Sequence, residues 1–157
     1  MKIQMWSIGK PHDTTLNTAI DDFTKRISRY FPVEWRIIPA PKNSSTLPQE
    51  GLKTKEAELI ISFLKKEDYL VVLDENGEIF TSERLAAFIE SRSNQSIKNL
   101  IFLIGGAFGL DASVISRANH KWSLSSLTFP HQLVRLLLAE QLYRACTILK
   151  NEKYHHK

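Results

Sequence analysis

Residues 99–106 read NLIFLIGG. From Leu100 to Ile104 every side chain is apolar, with no polar alternation, and two glycines close the run. A strand with one face in water alternates apolar and polar residues. A strand apolar on both faces is covered on both sides, which is the habit of parallel strands with helices packed above and below. The run YLVVLD at residues 69–74 reads the same way, with ENG after it as a turn signal. Lys2 to Ile8 is a first strand closed by Gly9, Val33 to Ile38 a second, and residues 121–125 the last.

Helical patterns separate these runs. Leu16, Ile20, Phe23, Ile27 and Tyr30 recur at four-three-four-three spacing, one face of an amphipathic helix. Residues 51–66 form a helix with Leu59, Ile60, Phe63 and Leu64 on one side. Ser82 can cap a helix that turns Leu85, Phe88 and Ile89 inward, and Asp111 a short helix over DASVISRA. The final helix starts near Pro130, because proline is tolerated in a first turn, and runs to about Leu149. Strand and helix alternate about five times, so the class is α/β with a mostly parallel sheet. There is no repeat and no linker, and residues 1–157 read as one domain. The loop at 39–48, with three prolines, is the one segment expected to be mobile.

Bulk properties bound the function. The chain has 157 residues, 43% hydrophobic and 24% charged, enough for one sizeable core. A lone cysteine, Cys146, allows no internal disulfide and no thiolate metal cluster, and reads as core packing. The start MKIQMWSIGK lacks the apolar core of a signal peptide, and the longest apolar stretch, LIFLIGGAFGL, is too short to span a bilayer. A cytoplasmic protein without membrane segments is expected. Net charge is +4, of which +3 falls between His131 and Lys157. Such placement suits a polyanion such as RNA, although charge alone favours ordinary solvation of a terminal helix.

Four segments are candidates for chemistry. LIGGAFGL is a strand ending in Gly105-Gly106 before a capped helix, which lets backbone N–H groups approach a ligand. It matches neither G-x-G-x-x-G nor a P-loop, so a plain tight turn stays open. The strand end Leu73-Asp74 should lie beside it, at the carboxyl edge where open α/β sheets bind ligands. The crossing SLTFPH, after the last strand, is the third, and together the three strand ends can hold a flat heterocycle such as adenine. The fourth is the tail KYHHK, whose aromatic, imidazole and ammonium groups can stack on a base, meet phosphate and move a proton. Adjacent histidines point apart, so His155 and His156 do not make a metal site.

Taken together, strand-Leu-Asp, LIGG..GL, SLS.LT.PH..VR..L.EQLYRA and the terminal Tyr-His resemble the ribosomal RNA large subunit methyltransferase H family, over the whole chain. These are bacterial pseudouridine N3-methyltransferases of 23S ribosomal RNA, in the SPOUT class. The resemblance implies a compact α/β domain with a deep C-terminal trefoil knot, S-adenosylmethionine as cofactor, no metal, and a homodimer acting on the ribosome. It implies a cofactor site of Leu73, Gly105, Leu124, Ser125, Ser126, Leu127, Thr128 and Phe129, held mainly by backbone. It implies catalytic roles for Arg144, Tyr154 and His155, with each site shared between one subunit's cofactor and the other's tail. His156 stands where an Arg or Lys often follows the Tyr-His pair, and Lys157 is the next cation available. The rival readings are a SPOUT enzyme with another target nucleotide and a nucleotide-binding α/β module without activity.

Overall fold

The computed structural model describes residues 1–156. Five strands, β1 (Lys2–Ile8), β2 (Val33–Ile38), β3 (Tyr69–Ile79), β4 (Asn99–Ile104) and β5 (His120–Ser123), form one sheet in the order β2-β1-β4-β3-β5. Every pairing is parallel, with Ile3 opposite Leu100 and Val72 opposite Leu103. All carboxyl ends therefore meet at one edge.

The helices are α1 (Thr14–Ile27), α2 (Gln49–Phe63), α3 (Ser82–Asn94), α4 (Ala112–Arg117) and α5 (His131–Leu149). Strand periodicity sorts the core into two layers. Leu100, Phe102 and Ile104 of β4 face one side with Val71 of β3, where α1, α3 and α5 pack. Ile101 and Leu103 face the other side with Leu70 and Val72, covered by α2 and α4. The unbroken apolar run of β4 follows from this: each of its faces meets a helical layer. Leu138, Ala139, Leu142, Ala145 and Cys146 of α5 are buried in the first layer. Burial pushes the Cys146 thiol up to about 12, as befits a packing residue.

Some boundaries differ from expectation. ENG does not end β3. The strand runs on to Ile79 through an irregularity in which Leu73 and Glu78 both pair with Trp122. The Asp74 carboxylate accepts from the Asn76 N–H at 2.8 Å, so the turn chemistry is present but spent on a bulge. Gly77 is required there, because a Cβ would lie 2.6 Å from the Trp122 backbone. Thr81, not Ser82, caps α3, its hydroxyl accepting from the Arg84 N–H at 3.1 Å. Helix α2 starts and stops earlier than 51–66. β5 stops at Ser123, which frees residues 124–130 to cross to α5.

Candidate functional site

The carboxyl edge of the sheet opens into a cavity of about 510 Å³. Three strand ends line it: Leu73 to Glu75 after the regular part of β3, the turn from Ile104 to Leu110 after β4, and the crossing after β5. Of the cofactor residues expected from sequence, Leu73, Gly105, Leu124, Ser125, Leu127, Thr128 and Phe129 face it, and Ser126 does not. His131 and Val134 from the first turns of α5 and Gln49 at the start of α2 complete the wall. A smaller recess of about 340 Å³ lies beside the β3 bulge and shares none of these residues.

The cavity suits a nucleoside-sized ligand. Its volume lies in the usual range for small-molecule sites, and most of its lining residues lie in loops, with glycines and apolar residues among them. Gly109 holds φ +81, left-handed backbone, and a Cβ on it would meet nothing. Gly105 has a different reason to be glycine. A Cβ there would meet the Leu110 side chain at 2.9 Å, beneath the loop. Packing against Leu110 thus leaves little room for a side chain at Gly105. Gly106 faces the Glu56 carboxylate, 6% exposed, whose Oε1 would lie 2.6 Å from a Cβ. Burial pushes the Glu56 carboxyl above its ordinary value.

A buried cation sits near the start of α5. Arg135 is 1% exposed, donates from Nε to Ser7 Oγ at 3.0 Å and places Nη1 3.3 Å from His12 Nδ1. Burial lowers the pKa of His131, and the Arg135 charge lowers it further. His131 therefore meets the cavity as an uncharged imidazole at neutral pH.

Arg144, Tyr154 and His155 also come together, but elsewhere. Arg144 donates from Nε to Glu140 Oε1 at 3.0 Å, and a second guanidinium nitrogen binds the same carboxylate. Tyr154 donates its hydroxyl to Glu140 Oε1 at 3.0 Å, and the Arg144 guanidinium lies over the Tyr154 ring at 4.7 Å. His155 Nδ1 is 3.4 Å from Arg144 Nη1, and its Nε2 is 3.1 Å from Glu83 Oε1. Burial first, then the bond to Glu140, raises the Tyr154 pKa, so this phenol is a donor and not a base. None of the three lines the cavity of its own chain. Along α5 the helical rise separates His131 from Arg144 by about 20 Å.

The tail is more firmly seated than a free end. Tyr154 packs against the core and edge-on to Tyr143 at 4.7 Å, and Glu152 accepts from the Tyr30 hydroxyl at 2.6 Å. Past Leu149 the chain thus still adds to the core, through Tyr154. Lys157 lies outside the described residues. Sequence reasoning missed Glu140, Glu83 and Arg135. Glu140 sits one helical turn before Arg144, a spacing that signals an ion pair. Glu83 is remote in sequence, and no local signal marks it.

The chain is similar to known proteins over nearly its whole length. The family described as predicted SPOUT methyltransferase matches residues 1–155. The chain is 49% identical, over 99% of its length and 100% of the relative's, to a protein of Cytophaga hutchinsonii named ribosomal RNA large subunit methyltransferase H. Proteins of the same name from Christiangramia forsetii, over the whole of both chains, and Clostridium perfringens, over 99% of each, are 46% and 41% identical. A probable methyltransferase structure from Bordetella pertussis aligns with TM-score 0.55 at 10% identity, covering 92% of this chain and 95% of that one. A probable methylase family protein from Haemophilus influenzae gives 0.50 at 11%, covering 99% and 70%. At such identity these two speak for the fold alone.

Proposed function

The chain belongs to the SPOUT methyltransferase family, and from that premise we propose that it methylates N3 of a pseudouridine in 23S ribosomal RNA. The donor is S-adenosylmethionine, the target is presented by the assembled ribosome in the cytoplasm, and the working unit is a homodimer. The relatives' name, a methyltransferase of large-subunit ribosomal RNA, supports the substrate class. The observation that carries the reading is the convergence of Leu73, Gly105 and the crossing residues Leu124, Ser125, Leu127, Thr128 and Phe129 on one cavity. The deep trefoil knot of the class belongs to the same proposal.

When bound, the cofactor supplies a methyl group already activated on a sulfonium. The chain's residues do the rest. Leu73, Leu124, Phe129 and Val134 offer apolar walls to the adenosine, and the turns at 105–109 and 124–128 offer backbone donors and acceptors. The protein then holds the imide nitrogen in line with the methyl carbon, an alignment that can supply roughly 7–11 kcal/mol of a barrier. His155 takes the imide proton, a contribution of about 10²–10⁴-fold for a placed base. Arg144, which lies over the Tyr154 ring at 4.7 Å, stabilises the anion so formed.

The separation of cavity and tail argues for a dimer. Leu133, Leu136 and Leu137 of α5 are only half-buried, on the stripe that continues to Glu140 and Arg144. Antiparallel pairing of two α5 helices about an axis near Leu137 lays Arg144 and His155 of one subunit beside His131 and the cavity of the other. The net charge of +4 gives little grip on naked RNA, which favours an assembled particle as substrate.

Incubation with S-adenosylmethionine labelled on the methyl group, against naked 23S RNA, isolated large subunits and whole ribosomes, tests the reading. Label at N3 of one pseudouridine, greatest on whole ribosomes, is expected. Tight cofactor binding with no transfer to any RNA would favour the binding-module rival, and label at another nucleotide the other SPOUT reading.

A further inference from the structure

His155 is held between two charged partners of opposite hydrogen-bonding character. The Glu83 carboxylate, 3.1 Å from Nε2, can only accept. The Arg144 guanidinium, 3.4 Å from Nδ1, can only donate. A neutral imidazole satisfies both in one way: Nε2 carries the proton and gives it to Glu83, and Nδ1 turns its lone pair toward Arg144. Glu83 is suited to this by position. It stands in the first turn of α3, where its own backbone N–H and then His155 hold the carboxyl below its ordinary value and keep it ionised at neutral pH.

We propose that Glu83 is a positioning residue that fixes the Nε2–H tautomer of His155, so that Nδ1 is the nitrogen that accepts the substrate proton. This rests on the reading of His155 as the base. Arg144 is already tied to Glu140 through Nε, and its contact with Nδ1 is long, so the imide N–H can replace it there without loosening Arg144 from α5. The N–H bond of the imide then breaks and its proton passes to Nδ1. The freed electron pair on nitrogen forms the bond to the methyl carbon while the methyl–sulfur bond breaks, leaving a neutral thioether. The imidazolium, both nitrogens now protonated, keeps its bond to Glu83 and returns the proton from Nδ1 to water. Arg144, left beside the ring nitrogen, is placed to balance the transient anion. The arrangement parallels the orientation of a catalytic histidine by a carboxylate in hydrolases, with the two ring nitrogens in exchanged roles.

The test combines nitrogen NMR of the full-length protein, labelled at histidine, with methyl transfer kinetics. Above the imidazole titration the His155 signals should show a protonated Nε2 and an unprotonated Nδ1. Glu83→Ala should let the two tautomers mix, and Glu83→Gln, which keeps an acceptor oxygen, should mix them less. In Glu83→Ala, kcat should fall by about 10-fold or more, yet less than the roughly 10²–10⁴-fold loss from His155→Ala. The KM for cofactor should stay unchanged, and adding Glu83→Ala to His155→Ala should cost nothing further. A His155 signal with Nδ1 protonated, or an unaltered tautomer and kcat in Glu83→Ala, overturns the role of Glu83 alone. Full transfer by a folded His155→Ala protein overturns the base itself, and the chemical role of Glu83 with it, whatever the spectrum shows.

Discussion

Gly106 and Glu56 constrain each other. The carboxylate is buried against the glycine, and a Cβ would stand 2.6 Å from Oε1 and 2.7 Å from Oε2. Gly106→Ala should therefore destabilise the fold by about 1–3 kcal/mol, the usual cost of overpacking, as read by urea unfolding. Glu56→Ala should recover much of that loss in the double variant, a coupling that a double-mutant cycle measures. Single residues were the hardest scale to read in the sequence. Gly105 could be marked as special from its place after a buried strand, but not why, since Leu110 is the atom it avoids. His155 and Arg144 could be named from family resemblance. The carboxylate that orients His155 could not, because Glu83 reaches it only through the fold.

At the scale of elements, α5 does three things along its length. Its first turns wall the cavity through His131 and Val134, its middle buries Leu138 and Leu142 in the core, and its last turns carry Arg144. A half-buried stripe through Leu133, Leu136 and Leu137 is left over. Sedimentation at micromolar concentration should show a dimer of the 18.0 kDa chain. Leu137→Arg should shift it to monomer, because a desolvated cation repeated across a two-fold axis repels itself, while monomer folding and cofactor affinity change little. A wild-type monomer would remove the shared site. Elements were also the most legible scale. The apolar runs at 70–73 and 100–104 fit strands covered on both faces, and α1 shows its face in spacing alone. The failures are local. ENG is turn chemistry used inside β3 as a bulge, and nothing short-range tells a bulge from a strand end.

For the molecule as a whole, pH dependence follows from three histidines, two half-buried and one at the exposed rim of the cavity, that their surroundings partly desolvate. His12, His120 and His131 all have lowered pKa values, each first through burial. The unfolded chain takes up these protons near the ordinary value of about 6.5, while the folded chain resists until lower pH. Their stabilising contribution is thus complete above about 6.5 and is lost as pH falls below it. Glu56 acts with the opposite sign. Its raised pKa adds stability at low pH that disappears as pH rises through its folded value, so it offsets part of the acid loss. Tm measured between pH 7.5 and 5.5 should therefore fall toward the acid side, and a Tm that rises steadily as pH falls would contradict the desolvation of these imidazoles.

The central claim is that one subunit's cavity works with its partner's tail, and mixed dimers test it most directly. Thr128→Trp, at an exposed position on the cavity crossing, should block the cofactor, and His155→Ala should remove the base. Each variant alone should transfer little methyl to ribosomes. After subunit exchange at equal ratio, about a quarter of wild-type activity should return, because half of the dimers are mixed and one of their two sites is intact. If exchange is verified and no activity returns, cavity and tail serve each other within one chain and the shared site is wrong.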